Sequence, residues 1–155
     1  AWATEAEARN RLWKARHDAY WAALALVPGW RGITTDICVP ISKLAEAILG
    51  AKGDAEARGH TTCIVGHVGD GNFHQVILYD PKQDGALERA WEMDRLIVAR
   101  GLALGGTCSG EHGVGLGKRE FLEQEHGAEA LAVMRSIKTQ FDPKGILNPG
   151  KMFRN

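Results

Sequence analysis

Apolar and polar positions follow two different rhythms along this chain, and the changes of rhythm mark its elements. Residues 4–26 are rich in Ala, Glu, Arg, Leu and Trp, a composition that favours helix, and Pro28-Gly29 supplies the stop. Residues 33–39 are short and β-branched, which predicts a strand ending at Pro40. Ser42, with Glu46 four residues on, reads as the N-cap of a helix over 43–57. Two apolar runs, 61–68 and 73–79, read as strands joined by the turn Gly69-Asp70-Gly71-Asn72. A third helix is predicted over 84–104, where Leu87, Trp91, Met93, Ile97 and Val98 recur at roughly helical spacing. A glycine-dense loop over 105–117 follows, then a helix over 129–140 and a Pro/Gly-punctuated tail over 142–155.

The β-α-β-β-α order within this series predicts an α+β fold, a ferredoxin-like (split βαβ) antiparallel sheet with helices packed on one face. With 155 residues, no internal repeat and no low-complexity linker, residues 1–155 are expected to form a single domain. The chain begins without Met, in what reads as the middle of a helix, so it is expected to be a piece of something longer.

Nineteen basic and nineteen acidic residues cancel, and no basic stripe marks a nucleic-acid footprint. The longest apolar run, 19–27, falls far short of the roughly 20 residues that span a bilayer, and no signal-peptide pattern opens the chain. A cytoplasmic location is expected, with peripheral membrane attachment open to the parts of a longer protein. Cys38, Cys63 and Cys108 are odd in number and widely spaced, which argues against a disulfide framework and for a reducing compartment.

The chemistry concentrates at two histidines, His67 and His74, which bracket the hairpin turn. If the turn is the four residues Gly69 to Asn72, the two face each other directly, with Cβ atoms about 4.5–5.5 Å apart. Both imidazoles then reach one ion at a Zn–N distance of about 2.0–2.1 Å. Two histidines that merely end strands and bond to backbone are the competing account. Glu111 would complete a His-His-Glu set, leaving adjacent His112 as a general base; a solvated Glu-His pair on a surface loop is the bland alternative. The zinc-protease helix motifs, the P-loop and the dinucleotide fingerprint are all absent. Cys108 reads as a buried small residue sooner than as a nucleophile.

Three blocks then carry a family resemblance. Gly66-His67-Val68-Gly69-Asp70-Gly71-Asn72-Phe73-His74, Glu111-His112-Gly113-Val114-Gly115 and Asp142-Pro143-Lys144-Gly145-Ile146-Leu147-Asn148-Pro149-Gly150-Lys151 occur in the order seen in the C-terminal domain of FAD-linked oxidases. More narrowly, the chain resembles the group of D-lactate dehydrogenase (cytochrome), glycolate oxidase and D-2-hydroxyglutarate dehydrogenase. The resemblance implies a C-terminal cap domain of a longer flavoenzyme whose FAD-binding domain lies upstream. It implies Zn²⁺ or Mn²⁺ on His67, His74 and Glu111, His112 as catalytic base, and Asn148 beside the flavin. Leu12-Trp13-Lys14-Ala15-Arg16-His17 resembles the segment whose arginine grips the substrate carboxylate, which assigns Arg16 to substrate binding. A 2-hydroxyglutarate enzyme has a lysine just before the Asp of the following strand; here stand Thr34-Thr35-Asp36, which favours a monocarboxylate.

The implied reaction is oxidation of a D-2-hydroxy acid to a 2-oxo acid with hydride transfer to FAD, then to an unidentified electron acceptor; this chain alone is expected to be inactive. Two other classes make different predictions. A metal-dependent hydrolase would work without flavin, and a non-catalytic metal-stabilised module would be indifferent to loss of His112.

Overall fold

The structure is a computed structural model and describes residues 4–153. The helix predicted over 4–26 is two, α1 (Ala6–His17) and α2 (Ala19–Ala25), which meet at Asp18. The strand predicted over 33–39 is likewise divided into β1 (Arg31–Thr34) and β2 (Ile37–Cys38), with Thr35 and Asp36 between them. A 3-10 turn over Ile41–Lys43 precedes α3 (Leu44–Ala57), so Ser42 lies inside that turn and Lys43 holds the N-cap position, without a side-chain bond. β3 (Thr62–His67) and β4 (Asn72–Tyr79) form the hairpin, followed by α4 (Ala86–Ala103). The last helix, α5 (Leu122–Phe141), starts earlier than predicted but breaks at Gly127, whose φ of 80° no helix residue adopts.

β4 is the centre of the sheet. β3 pairs with it along one edge, β1 and β2 share the other, and every pairing is antiparallel. β1 and β3 therefore run parallel with β4 between them and α3 as the connection, which is the split βαβ arrangement in an α+β fold. Beyond β2, the described residues add only a single bridge to the sheet, between Cys38 and Thr107.

Alternation along β4 sends its side chains to two different places. Phe73 and Ile77 join Ile37 in the main core, against Ala47, Ala51 and Ala55 of α3 and Ala90, Met93 and Ile97 of α4. Alanines at four-residue intervals on α3 form one face of the helix and let it lie close to the sheet. Val76 and Leu78 point to the opposite face, where Ala23 and Leu24 of α2 and Trp30 cover them. That cover stops short of Asn72 and His74, the two residues on the same face at the other end of β4. The uncovered end is where the candidate chemistry sits.

The hairpin corrects one expected detail. A 3-10 turn over Val68–Asp70 and left-handed Gly71 (φ 76°) take up the reversal, so His67 pairs with Asn72 and His74 with Val65. The histidines are diagonal neighbours and not direct partners. A shift of two residues keeps both on one face, whereas a shift of one would have separated them. Gly71 is required twice over, since a Cβ there would lie 2.1 Å from the Val39 carbonyl oxygen.

Candidate active site

His74 is buried, and its Nδ1 stands 3.0 Å from the main-chain oxygen of Thr35. A carbonyl can only accept, so Nδ1 carries the ring proton and Nε2 turns a lone pair toward the site. Thr35 is free to do this because the edge strand is interrupted there; its hydroxyl also accepts the Gln75 N–H at 2.8 Å. Nε2 of His74 lies 2.9 Å from Glu111 Oε1, and Nε2 of His67 lies 3.4 Å from the same oxygen. The three ligand atoms lie within 4.8 Å of one another. His112 stacks on His74, ring centroids 5.0 Å apart and planes 8° from parallel, with about half of its side chain exposed.

Glu111 and His112 are held in place by Asp36. Its buried carboxylate accepts the backbone N–H of Glu111 at 3.0 Å, that of His112 at 2.8 Å and the Asn72 side-chain amide at 3.1 Å. Lys118 Nζ donates to the Asp36 main-chain oxygen and lies 3.8 Å from its carboxylate. Burial by itself would raise the Asp36 pKa. The His112 and Glu111 N–H groups, then the Lys118 charge and the Asn72 amide, outweigh it and hold the carboxyl below its ordinary value. Gly110 allows this closure, because a Cβ there would sit 2.0 Å from Asn72 Nδ2 and 2.7 Å from Asp36 Oδ1. Further along, the Cys108 N–H donates to Glu125 at 2.8 Å, and Met152 N–H in the tail donates to the Gly115 oxygen at 2.8 Å.

The donor set suits a small divalent cation. Four donors at about 2.0–2.1 Å in a tetrahedron stand roughly 3.3 Å apart, and the 2.9 and 3.4 Å separations at Glu111 bracket that value. Moreover, a neutral His74 aims a lone pair at a carboxylate oxygen. Both atoms thus turn lone pairs to one point, where a cation could sit. Arg16 Nη2 already stands 3.1 Å from His67 Nδ1 and in contact with its Nε2, so a positive group reaches this ring from α1.

These residues open onto a cavity of about 680 Å³, lined by Arg16, Tyr20, Val65, His74, Glu111 and His112 among others. His67, His74, Glu111 and His112 thus come together with Arg16. Asn148 does not join them: it lines a separate cleft with Arg135, Lys138 and Phe153, in a left-handed conformation with φ 46°. Asp36, Lys118 and the Thr35 carbonyl were not anticipated as parts of the site. Their one signal is the polar pair Thr35-Asp36, which breaks the alternation of an otherwise apolar β-branched run.

A sequence model of the family described as FAD linked oxidases, C-terminal domain, matches residues 1–152, and the chain belongs to that family. Among curated proteins it is 49% identical over 98% of its length to "Probable D-lactate dehydrogenase, mitochondrial" of Danio rerio, covering 31% of that protein. It is 45% identical over 97% of its length to "D-lactate dehydrogenase [cytochrome], mitochondrial" of Arabidopsis thaliana, covering 26% of it. To "Glycolate oxidase subunit GlcD" of Bacillus subtilis the identity is 38% over 97% of this chain and 31% of the relative. The chain thus spans less than a third of the length of these relatives. The fish and plant relatives are mitochondrial by name, which conflicts with the expectation of a purely cytoplasmic protein. No described helix is long and apolar enough to cross a membrane.

Proposed function

We propose that this chain is the substrate- and metal-binding C-terminal domain of an FAD-dependent D-2-hydroxy acid dehydrogenase of the D-lactate or glycolate type. The observation that carries the proposal is the convergence of His67, His74 and Glu111, with His112 stacked on His74 and His74, Glu111 and His112 lining one cavity. The names of the relatives support the substrate class and the oxidative chemistry. The hydrolase and non-catalytic alternatives lack such support.

Within that proposal each residue has a separate task. His67, His74 and Glu111 hold a divalent cation, Zn²⁺ or Mn²⁺. Arg16 reaches over from α1 to pair with the substrate carboxylate, which fixes the C2 carbon against the rest of the cavity. His112, half-exposed and kept parallel to His74, takes the proton from the C2 hydroxyl. When bound, a divalent cation supplies a Lewis acid that lowers the pKa of a coordinated hydroxyl, and FAD supplies the hydride acceptor. FAD is assigned mainly to the part of the protein outside this chain, with Asn148 at the boundary. Exposed Val133, Ile137 and Phe141, four residues apart along α5, offer an apolar stripe for that part to cover.

The test is elemental analysis and turnover of the full-length protein. About one Zn or Mn per chain is expected in the parent and none in a His67→Ala, His74→Ala double variant. His112→Ala should keep its metal while kcat falls by about 10²–10⁴-fold. A parent that takes up neither ion, or a His112→Ala enzyme with undiminished turnover, would overturn the assignment.

A further inference from the structure

A second cleft lies at the opposite end of the sheet. Tyr79, which lines it, is five residues beyond His74 on β4, roughly 16 Å at the usual strand rise. The cavity measures about 220 Å³, and Arg58, His60, Arg89, Trp30 and Tyr79 stand around it. Three segments supply its nitrogen donors: Arg58 caps the end of α3, His60 begins the approach to β3, and Arg89 lies in the first turn or two of α4.

The two guanidiniums are neutralised unequally from within the protein. Arg89 Nη1 donates to the Asp84 main-chain oxygen at 3.2 Å, and no carboxylate among the described residues comes within ion-pair distance of it. Arg58 Nη1 donates to the Asp54 main-chain oxygen at 3.3 Å and stands 3.9 Å from that residue's carboxylate. Arg100 shares that carboxylate through its other oxygen, Oδ2, to which Arg100 Nε donates at 3.0 Å and Nη2 more closely still. Asp80 is the acidic residue on the wall, and its Oδ1 accepts the Lys82 N–H at 2.9 Å. The two arginine charges also meet at His60, where burial first and then Arg89 and Arg58 push the imidazole pKa below its ordinary value. Two guanidiniums thus line the hollow, Arg89 without a carboxylate partner among the described residues and Arg58 with a long one, against the single carboxylate of Asp80 on the wall.

We propose that this cleft is a binding site for a small phosphate-type dianion, either inorganic phosphate or a phosphate monoester, separate from the candidate active site. Two guanidinium forks facing one cavity match the charge and the several acceptor oxygens of a phosphate better than those of a monocarboxylate. His60 supplies a third donor, and the anion would draw a second proton onto its ring. Trp30 and Tyr79 on the wall give an aromatic flank against which the organic part of a monoester can lie.

The probes are inorganic phosphate and AMP, titrated calorimetrically into the full-length protein at constant ionic strength set with chloride. Saturable binding with a Kd of about 1 mM or tighter is expected for at least one of them. In an Arg58→Gln, Arg89→Gln double variant, whose folding is checked by its melting temperature, the affinity should fall about tenfold or more. An Arg16→Gln variant should bind unchanged, since its guanidinium serves the other cavity. Tighter binding of AMP than of phosphate, reduced by Trp30→Phe, would identify a monoester site. Equal binding of the two would identify a site for the phosphate group alone. Absence of saturable binding by both probes, undiminished binding in the double variant, or loss of binding in Arg16→Gln would each overturn the proposal.

Discussion

Replacing Asp36 by Asn changes almost no volume, yet it should cost the protein a large share of its stability. The carboxylate accepts three N–H groups at 2.8–3.1 Å and faces Lys118 Nζ at 3.8 Å. An asparagine keeps one acceptor oxygen and brings an NH₂ group that must face either the Glu111 and His112 N–H groups or the Asn72 amide, donor against donor. At an effective dielectric of about 20, the lost attraction to Lys118 alone is about 4 kcal/mol before any solvation is regained. Measured losses on truncating one member of a buried pair run at about 3–5 kcal/mol, and the hydrogen-bond loss overlaps with that figure. We therefore expect a net loss of about 3–5 kcal/mol out of a total of roughly 5–15. In a domain of this size that is a fall in Tm of about 6–20 °C. Because the Asp36 pKa is lowered on folding, its contribution is fully present above the unfolded value of 3.8 and is lost as pH falls below it. The difference between parent and variant should accordingly shrink in acid. Metal affinity should drop by about 10–100-fold, since Glu111 loses the group that orients it. Thermal melts followed by circular dichroism, with metal titrations on the same samples, would test both numbers. A variant that melts within about 2 °C of the parent and binds metal equally well would refute the view that Asp36 holds the loop.

Gly110→Ala should act on the same contact from the other side: the added Cβ meets Asn72 and Asp36, so metal affinity falls while the far-ultraviolet spectrum of the sheet and helices persists. Asp94, buried on α4, has its pKa raised to about 6, chiefly by desolvation. A raised carboxyl pKa destabilises the fold above about pH 6, and the penalty fades as pH drops toward 3.8. Asp94→Asn should therefore stabilise the protein by about 2–3 kcal/mol at neutral pH and flatten stability over that interval, which denaturant melts at several pH values would show. Cys108, with its thiol pushed up to about 12 by burial and then by Glu125, should be the last of the three cysteines to react with a thiol reagent in the native protein. Modification of Cys108 ahead of Cys38 or Cys63 would contradict that.

Much of the candidate site was legible because its residues announce themselves by type. Histidines at 67 and 74 and the Glu111-His112 pair are unusual in apolar strands and a glycine loop; the structure places His74, Glu111 and His112 on one cavity, with His67 beside Glu111. The α+β pattern followed equally from the hydrophobic rhythm, since strand and helix periods differ. What stayed hidden depends on partners distant in sequence. Asp36 finds its N–H donors 75 and 76 residues away, and nothing local marks it as the anchor of that loop. The break between β1 and β2 escaped because β-branched residues flank it on both sides. The hairpin register escaped because a 3-10 turn and an extended four-residue turn share the same Gly-Asp-Gly-Asn composition. Arg16 lies against the His67 ring, whereas Asn148 faces its own cleft, against the tail and α5.

The ligands of the candidate metal centre are mounted on supports of unequal durability. His67 and His74 belong to a hairpin whose central strand is buried along nearly its whole length, while Glu111 rides on a glycine-rich segment tethered to Asp36 across 75 residues of chain. The segment is held by a few N–H bonds to one side chain and not by a ladder of paired strands, so it should open before the sheet in the native state. Each opening swings away one carboxylate and leaves a two-histidine half-site standing. A cation held there would act as a latch: its capture and release should keep time with that loop, at rates that hydrogen exchange of the Glu111 and His112 amides would reveal, and not with unfolding of the domain.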